Sequence, residues 1–352
     1  MTQNQPNACE FHLIKTLTLI GAQRIKASIK SISDLFIEGI DGDQCVIESM
    51  APLSHNRYAA AVYDNKDCRY EIGYVDLNKN TFSMTNLLQG AIGILARCDV
   101  VLVVQKCLNV TVFVGDQDNG NLGIEPREVC CKSGWYISDR WFQDRKDDIY
   151  ILSQENTLYS MKWSRILDKN YTDKVSLATD VEDFYATAAG VAILGVKGNL
   201  MLPGCHAIDL NVVDPAIKWS IVIGDANRWI VSGNGSGLFK LVYVNRSARL
   251  RSTMSIESDA SETYMVCMKM ITSSRHGSLI LAAERPGVCH LISVSGRSMM
   301  TLIRTIKNLS VKTNESCKEM ANTIFSVTFG RLAGELIVAG VGWIKNIVIK
   351  FR

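Results

Sequence analysis

Seven short strings in this chain are alike. They are RYAAAVY from Arg57, DVVLVVQ from Asp99, DIYILSQ from Asp148, GVAILGV from Gly190, RWIVSGN from Arg228, SLILAAE from Ser278 and ELIVAGV from Glu335. Their starts lie 42, 49, 42, 38, 50 and 57 residues apart. A unit repeated at such a step cannot bury its apolar face alone, so it must stack on neighbours of the same kind. A step near 46 residues is the length of a four-stranded blade. Seven such units predict an all-β chain folded as a seven-bladed β-propeller.

The segments around each string support strands. Residues 228–234 are followed by Gly235-Ser236-Gly237 and then LFKLVYVN; residues 278–284 by Arg285-Pro286-Gly287 and then VCHLISVSG. Paired extended runs with Gly, Asn or Pro between them are hairpins. An apolar run precedes five strings: GAIGILAR, GWYISDRWF, KWSIVIG, MVCMKMIT and IFSVTFG. A more polar, alternating run follows three pairs: TFSMTNLL, RLRSTMSI and MMTLIRTI. That order fits an inner strand covered on both faces, two middle strands and a solvated outer strand. The runs are too short, too β-branched and too often broken by Gly for helices. The best place for a turn or two of helix is residues 314–322 (NESCKEMAN).

The chain end tests the ring. KNIVIKFR, ending at Arg352, reads as a third strand, so the seventh blade lacks its fourth. Two N-terminal runs alternate, residues 12–20 (HLIKTLTLI) and 24–32 (RIKASIKSI). Either can pair in the last blade, close the ring and remove open sheet edges. Residues 34–43 are then an insertion or an extra hairpin. The expected layout is a flexible N-terminus over 1–11 and one propeller domain over 12–352, with the closing strand within 12–32. The expected blades are 44–90, 91–131, 132–180, 181–217, 218–262, 263–312 and 323–352.

Composition narrows the setting. With 47% hydrophobic and 21% charged residues, the 352-residue chain can bury a large core. The start, MTQNQPNACEFH, has no basic-then-apolar pattern, which argues against a secretory signal. The apolar stretch near residues 87–114 is broken by Arg97, Asp99, Gln105 and Lys106, so no membrane span is expected. The 11 Cys have no repeated spacing, and Cys45, Cys98, Cys107, Cys267 and Cys289 sit in apolar strands. They read as small buried hydrophobes in a reducing, intracellular compartment, cytoplasmic or nuclear.

At the level of fold, three stretches resemble the WD40-type seven-bladed propeller family. Residues 228–245 (RWIVSGNGSGLFKLVYVN) resemble the family's second strand, turn and third strand. Residues 278–296 (SLILAAERPGVCHLISVSG) do the same and keep the terminal Gly. Residues 70–77 (YEIGYVDL) keep Asp76 where the family's Trp-Asp dipeptide would end. No blade has that dipeptide, and no Gly-His pair precedes an inner strand, so the family's Asp–His network is not expected. The resemblance implies a rigid ring that holds partners, which is an analogy of fold.

Assembled chemistry is not expected. There is no Cys-x-x-Cys, and Cys130-Cys131 has the wrong spacing for two ligands of one tetrahedral zinc. Cys205-His206 and Cys289-His290 are adjacent, so in a strand their side chains point to opposite faces. Residues 233–237 (GNGSG) sit in a hairpin turn with no helix after them to receive a phosphate. The five His, at 12, 55, 206, 276 and 290, do not cluster. No catalytic, cofactor-binding or metal-ligating residue is expected.

Partner contact has two candidate groups. From residue 227 onward the chain carries 17 Lys and Arg against 7 Asp and Glu, while the whole chain sums to +3, so the first 226 residues are net acidic. The basic residues concentrate at Arg246, Arg249 and Arg251 and again at Arg297, Arg304, Lys307 and Lys312, and residues 246–251 and 297–307 fall on expected outer strands, or their loops, of neighbouring blades. They can meet an acidic protein surface or RNA, or can simply be a solvated edge kept from pairing. Trp135, Arg140 and Trp141 are of the types that dominate interface hot spots. The expected function is a non-catalytic scaffold subunit that binds other protein subunits. The alternative is a basic propeller binding RNA or another polyanion in a ribonucleoprotein or chromatin-linked assembly. A hydrolase-type propeller enzyme is the third reading and would need polar groups converging on the channel.

Overall fold

The structure is a computed structural model. It describes residues 27–40, 45–53, 57–88, 91–97, 100–105, 110–114, 127–129, 148–152, 156–162, 175–187, 189–225, 228–235, 237–257, 265–274, 277–284, 287–295, 299–307, 309, 324–330, 332, 334–340 and 343–351. These residues form seven antiparallel sheets that follow one another along the chain. The N-terminal strand β1 (Ala27–Asp34) belongs to the last of them. Sheet one holds β2 (Cys45–Pro52), β3 (Arg57–Asp64), β4 (Arg69–Asp76) and β5 (Thr81–Leu88). Sheet two holds β6 (Ala91–Arg97), β7 (Val100–Gln105), β8 (Val110–Val114) and β9 (Arg127–Val129). Sheet three holds β10 (Asp148–Leu152), β11 (Leu158–Lys162) and β12 (Val175–Ala178). Sheet four holds β13 (Val181–Thr187), β14 (Gly190–Gly195), β15 (Asn199–Met201) and β16 (Ile208–Asp209), followed by one 3-10 turn, Leu210–Val212. Sheet five holds β17 (Lys218–Gly224), β18 (Arg228–Gly235), β19 (Leu238–Asn245) and β20 (Leu250–Glu257). Sheet six holds β21 (Met265–Ser274), β22 (Gly277–Glu284), β23 (Val288–Ser295) and β24 (Met300–Ile306). Sheet seven holds β25 (Ile324–Phe329), β26 (Glu335–Gly340) and β27 (Ile344–Phe351), with β1 outermost.

Six of the seven strings lie on the second strand of their sheet, and DIYILSQ lies on β10, the first described strand of sheet three. The run before it, GWYISDRWF, is outside the described residues, as are residues 314–322. The strings are apolar without alternation because each of their faces meets a different core. In β22, Leu279, Leu281 and Ala283 pack with sheet seven, while Ile280 and Ala282 pack with sheet five. In β26, Leu336 and Val338 pack with sheet six, while Ile337 and Ala339 pack with Ile47, Met50 and Val62 of sheet one. The first and last sheets therefore share a core, as sheets six and seven and sheets five and six do.

The run that closes the last sheet is the second of the two candidates. β1 pairs with β27 from Ala27 opposite Phe351 to Asp34 opposite Lys345. Residues 12–20 are outside the described residues. The link that follows β1 is not a hairpin. Leu35 N–H donates to the Ile344 carbonyl, and Glu38 makes one parallel bridge to Thr81 at the start of β5. Residues 35–40 thus run from sheet seven to the outer edge of sheet one.

Six inner strands share one irregularity. Each has a register shift near its start: Ile47/Ser49, Ala91/Gly93, Val181/Asp183, Trp219/Ile221, Met265/Cys267 and Ile324/Ser326. A bulge bends the strand and leaves ladder groups unpaired. In β13 and β25 the residue just after the bulge, Asp183 or Ser326, accepts a backbone N–H from the inner strand of the following sheet. Val222 N–H donates to the Asp183 carboxylate at 2.6 Å, and Met50 N–H donates to Ser326 Oγ at 3.2 Å.

Gly73 marks a close approach between β4 and β5. A Cβ there would lie 2.2 Å from the Ser83 carbonyl oxygen and within 3 Å of the Phe82 ring. Gly73→Ala is expected to lower stability by about 2 kcal/mol, read as a lower urea midpoint with an unchanged slope.

Candidate partner-binding surface

The surface begins at the turns that join third and outer strands. Asp76, Asn245 and Ser295 end β4, β19 and β23. Each caps the turn after it. Asp76 Oδ1 accepts from Asn78 N–H at 2.8 Å, Asn245 Oδ1 from Arg249 N–H at 2.9 Å, and Ser295 Oγ from Met299 N–H at 3.1 Å. Only a short side chain with an acceptor can close a turn on its own backbone in this way. The Asp76 position is thus kept for its cap, whether Asp, Asn or Ser fills it.

In sheet five this capped turn presents three arginines. Arg246 and Arg249 are exposed in the turn, and Arg251 is exposed at a register shift just inside β20. None makes an ion pair among the described residues. The turn is tied to sheet four, where Cys205 Sγ donates to the Arg246 carbonyl at 3.2 Å. The next residue, His206, is exposed beside it. Lys240 Nζ lies 2.8 Å from Asp214 Oδ2 and anchors the loop between the two sheets. That hydrogen bond, with a second from Ala216 N–H, holds the Asp214 carboxyl below the usual carboxylate range.

Arg304 is not part of this group. It is exposed on β24, opposite Leu291, which packs in the core shared with sheet seven. Arg304 therefore stands on the side of sheet six that faces away from sheet five. The stretch that reads in sequence as one basic sector is divided between a turn and strand start in sheet five and the side of sheet six toward sheet seven. Trp135, Arg140, Trp141 and Arg297 are outside the described residues.

Sheet six also holds a polar cluster that sequence reasoning missed. His290 Nε2 is hydrogen-bonded to the Glu284 carboxylate, and Nδ1 lies 3.1 Å from Thr305 Oγ1. Glu284 and His290 are each 2% exposed. The three residues bind the second, third and outer strands of the sheet together. The available signal was a Glu ending an apolar string and a His in the facing strand. Their neighbour Cys289 is fully buried, and that burial pushes its thiol up, with Cys267 and Glu284 adding to the effect. In a thiol-alkylation time course, exposed Cys68 is expected to react in the folded state and Cys289 only after unfolding. No group of three metal-capable side chains occurs among the described residues.

No protein-family model matches the sequence, and no curated protein sequence matches it. Solved structures do match. The N-terminal domain of Nup159 aligns with a TM-score of 0.59 and 10% identity, over 93% of this chain and 96% of that one. Sqt1 from Chaetomium thermophilum aligns at 0.57 with 11% identity, over 90% and 99%. The WD40 domain of Toxoplasma gondii coronin aligns at 0.59 with 10% identity, over 94% and 87%. At such identities the likeness is one of fold, and the fold of this chain is that of a WD40-type β-propeller.

Proposed function

We propose that this chain is a non-catalytic scaffold that holds partner proteins. The observation that carries the reading is the sheet-five turn, where Arg246, Arg249 and Arg251 stand exposed beside Leu250, which is 44% exposed. Arginine next to open apolar surface on a rigid strand is a usual composition for a protein contact. Structural neighbours support the reading by analogy of fold. Among them are Sqt1 bound to the N-terminus of the ribosomal protein L10, YCF48 bound to D1 peptide, and Nup159 bound with Dbp5 and Gle1. A native purification of the full chain is expected to bring down stoichiometric subunits, and the isolated chain to turn over no ester, phosphate or nucleotide substrate. Isolation as a lone monomer from its own cells, or a robust activity removed by one side-chain change, would overturn the reading.

A second reading rests on the same arginines, which carry no acidic partner among the described residues: the surface binds RNA or another polyanion. Binding would then fall steeply with salt, with a slope set by the phosphates contacted. Arg246→Glu, Arg249→Glu and Arg251→Glu together would abolish it. An affinity for oligonucleotide untouched by the triple substitution sinks this alternative.

A further inference from the structure

Sheet four is short at its rim. Its outer strand β16 has two residues and its third strand β15 has three, whereas β5, β20 and β1 have eight each and β24 has seven. The outer strand of the next sheet is β20. Register assigns each residue of β20 except Arg251 to one side. Ser252, Met254 and Ile256 lie opposite Tyr243, Leu241 and Phe239, which pack toward sheet six, and all three are buried or half-buried. Leu250 and Thr253 lie opposite Val244 and Val242, which pack toward sheet four. Ser255 and Glu257 lie opposite Lys240 and Leu238 on that same side. All four are exposed. One strand is thus covered on the side of a full neighbour and open on the side of the short one.

We propose that this open side of β20 binds an extended acidic segment of a partner protein, and this deepens the scaffold reading on which it rests. The surface is an eight-residue strand, long enough for one extended segment of equal length. Its floor is small and polar, Thr253 and Ser255, with Leu250 to take one apolar side chain. Its charge is graded. Arg246, Arg249 and Arg251 stand at the start of β20, and Glu257 stands at its end. The matching ligand carries carboxylates at one end and a cation at the other, which fixes its direction. A nucleic acid matches less well. The strand LRSTMSIE has no aromatic for a base to stack on, and Glu257 repels a phosphate backbone.

The test uses the full chain and two labelled probes, read by fluorescence anisotropy. One is an eight-residue peptide that alternates Glu and Val and ends in Lys. The other is a 20-residue oligouridine. The peptide is expected to bind, and Arg246→Glu, Arg249→Glu and Arg251→Glu together are expected to weaken it by about tenfold or more. Thr253→Arg with Ser255→Arg is expected to weaken it as much, although the pair adds positive charge, because the new side chains fill the floor. A general attraction between charges would be strengthened by that pair. Both substituted positions are exposed, and thermal unfolding confirms that the variants fold. Peptide binding that is absent, or that tightens with the Thr253 and Ser255 variant, overturns the inference, as does saturable binding of oligouridine alone. The purification test is separate: subunits that co-purify with a chain that does not bind the peptide would place the scaffold contact elsewhere.

Discussion

A chain that begins at Leu35 is expected to lose its cooperative fold. The deletion removes β1, which contributes the fourth strand of sheet seven and pairs with β27 at seven positions. It also removes Ile29 and Ala27 from the edge of the core between sheets six and seven, and the pair of Asp34 with Lys345 at 2.6 Å. Each lost ladder bond is worth about 1 kcal/mol net, and uncovering an Ile costs about 1.5 kcal/mol or more. The total reaches at least about 5 kcal/mol, the scale of a whole domain's stability. It further leaves β27 as a bare edge open to aggregation. The measurement is soluble yield and urea unfolding of the truncated chain, with and without a synthetic peptide of residues 24–34. Loss without the peptide and partial recovery with it are expected. Ile29→Asp tests the same contact without truncation, because it sets a charge against that apolar core, and it is expected to lower the urea midpoint. A truncated chain that unfolds at the midpoint of the full one would show that β1 does not carry the closure.

The period of the seven strings was legible because the physics behind it is simple. A second strand that meets two cores must be apolar on both faces, so it stands out from its surroundings even where no motif residue remains. The turn caps were half legible. Asp76 was visible because it is an Asp at a known place, but Asn245 and Ser295 do the same work with other side chains. The two candidate closing strands could not be separated, because both alternate and pairing depends on which one reaches β27. The buried Glu284 and His290 and the half-buried Thr305 were hidden because they come from three strands of one sheet, and only the register brings them together. The split of the arginines was hidden for a related reason. Sequence places Arg251 and Arg304 on outer strands, but only the pairing shows that Arg251 falls at a register shift and that Arg304 lies opposite Leu291. The open side of β20 was hidden in the same way, since only its pairing with β19 sorts its residues by side.

Asp183→Ala is expected to be the most destabilising change of a polar residue among the described inner strands. Asp183 is 2% exposed, and its carboxylate accepts the Val222 N–H of β17, the first strand of the next sheet. Alanine removes the acceptor and leaves that N–H buried without it. A charge-assisted bond of this kind is worth about 1.5–3 kcal/mol, and the stranded donor adds its own desolvation cost. Ser326→Ala breaks the corresponding contact to Met50 N–H, where the acceptor is neutral and the bond longer, so about 1–2 kcal/mol is expected. Asp183→Asn keeps an oxygen in place and should fall between wild type and alanine. The order wild type, Ser326→Ala, Asp183→Ala in decreasing urea midpoint follows from acceptor charge and bond length alone. Sheet five shows what the device replaces: its residue after the bulge is Ile221, which offers no acceptor and instead packs with Met268 and Ile280 of sheet six. The inner strands thus join neighbouring sheets in two ways, by apolar packing or by a side-chain acceptor for a backbone N–H. If Asp183→Ala unfolds within about 0.5 kcal/mol of wild type, apolar packing suffices at both junctions and the polar contacts are incidental.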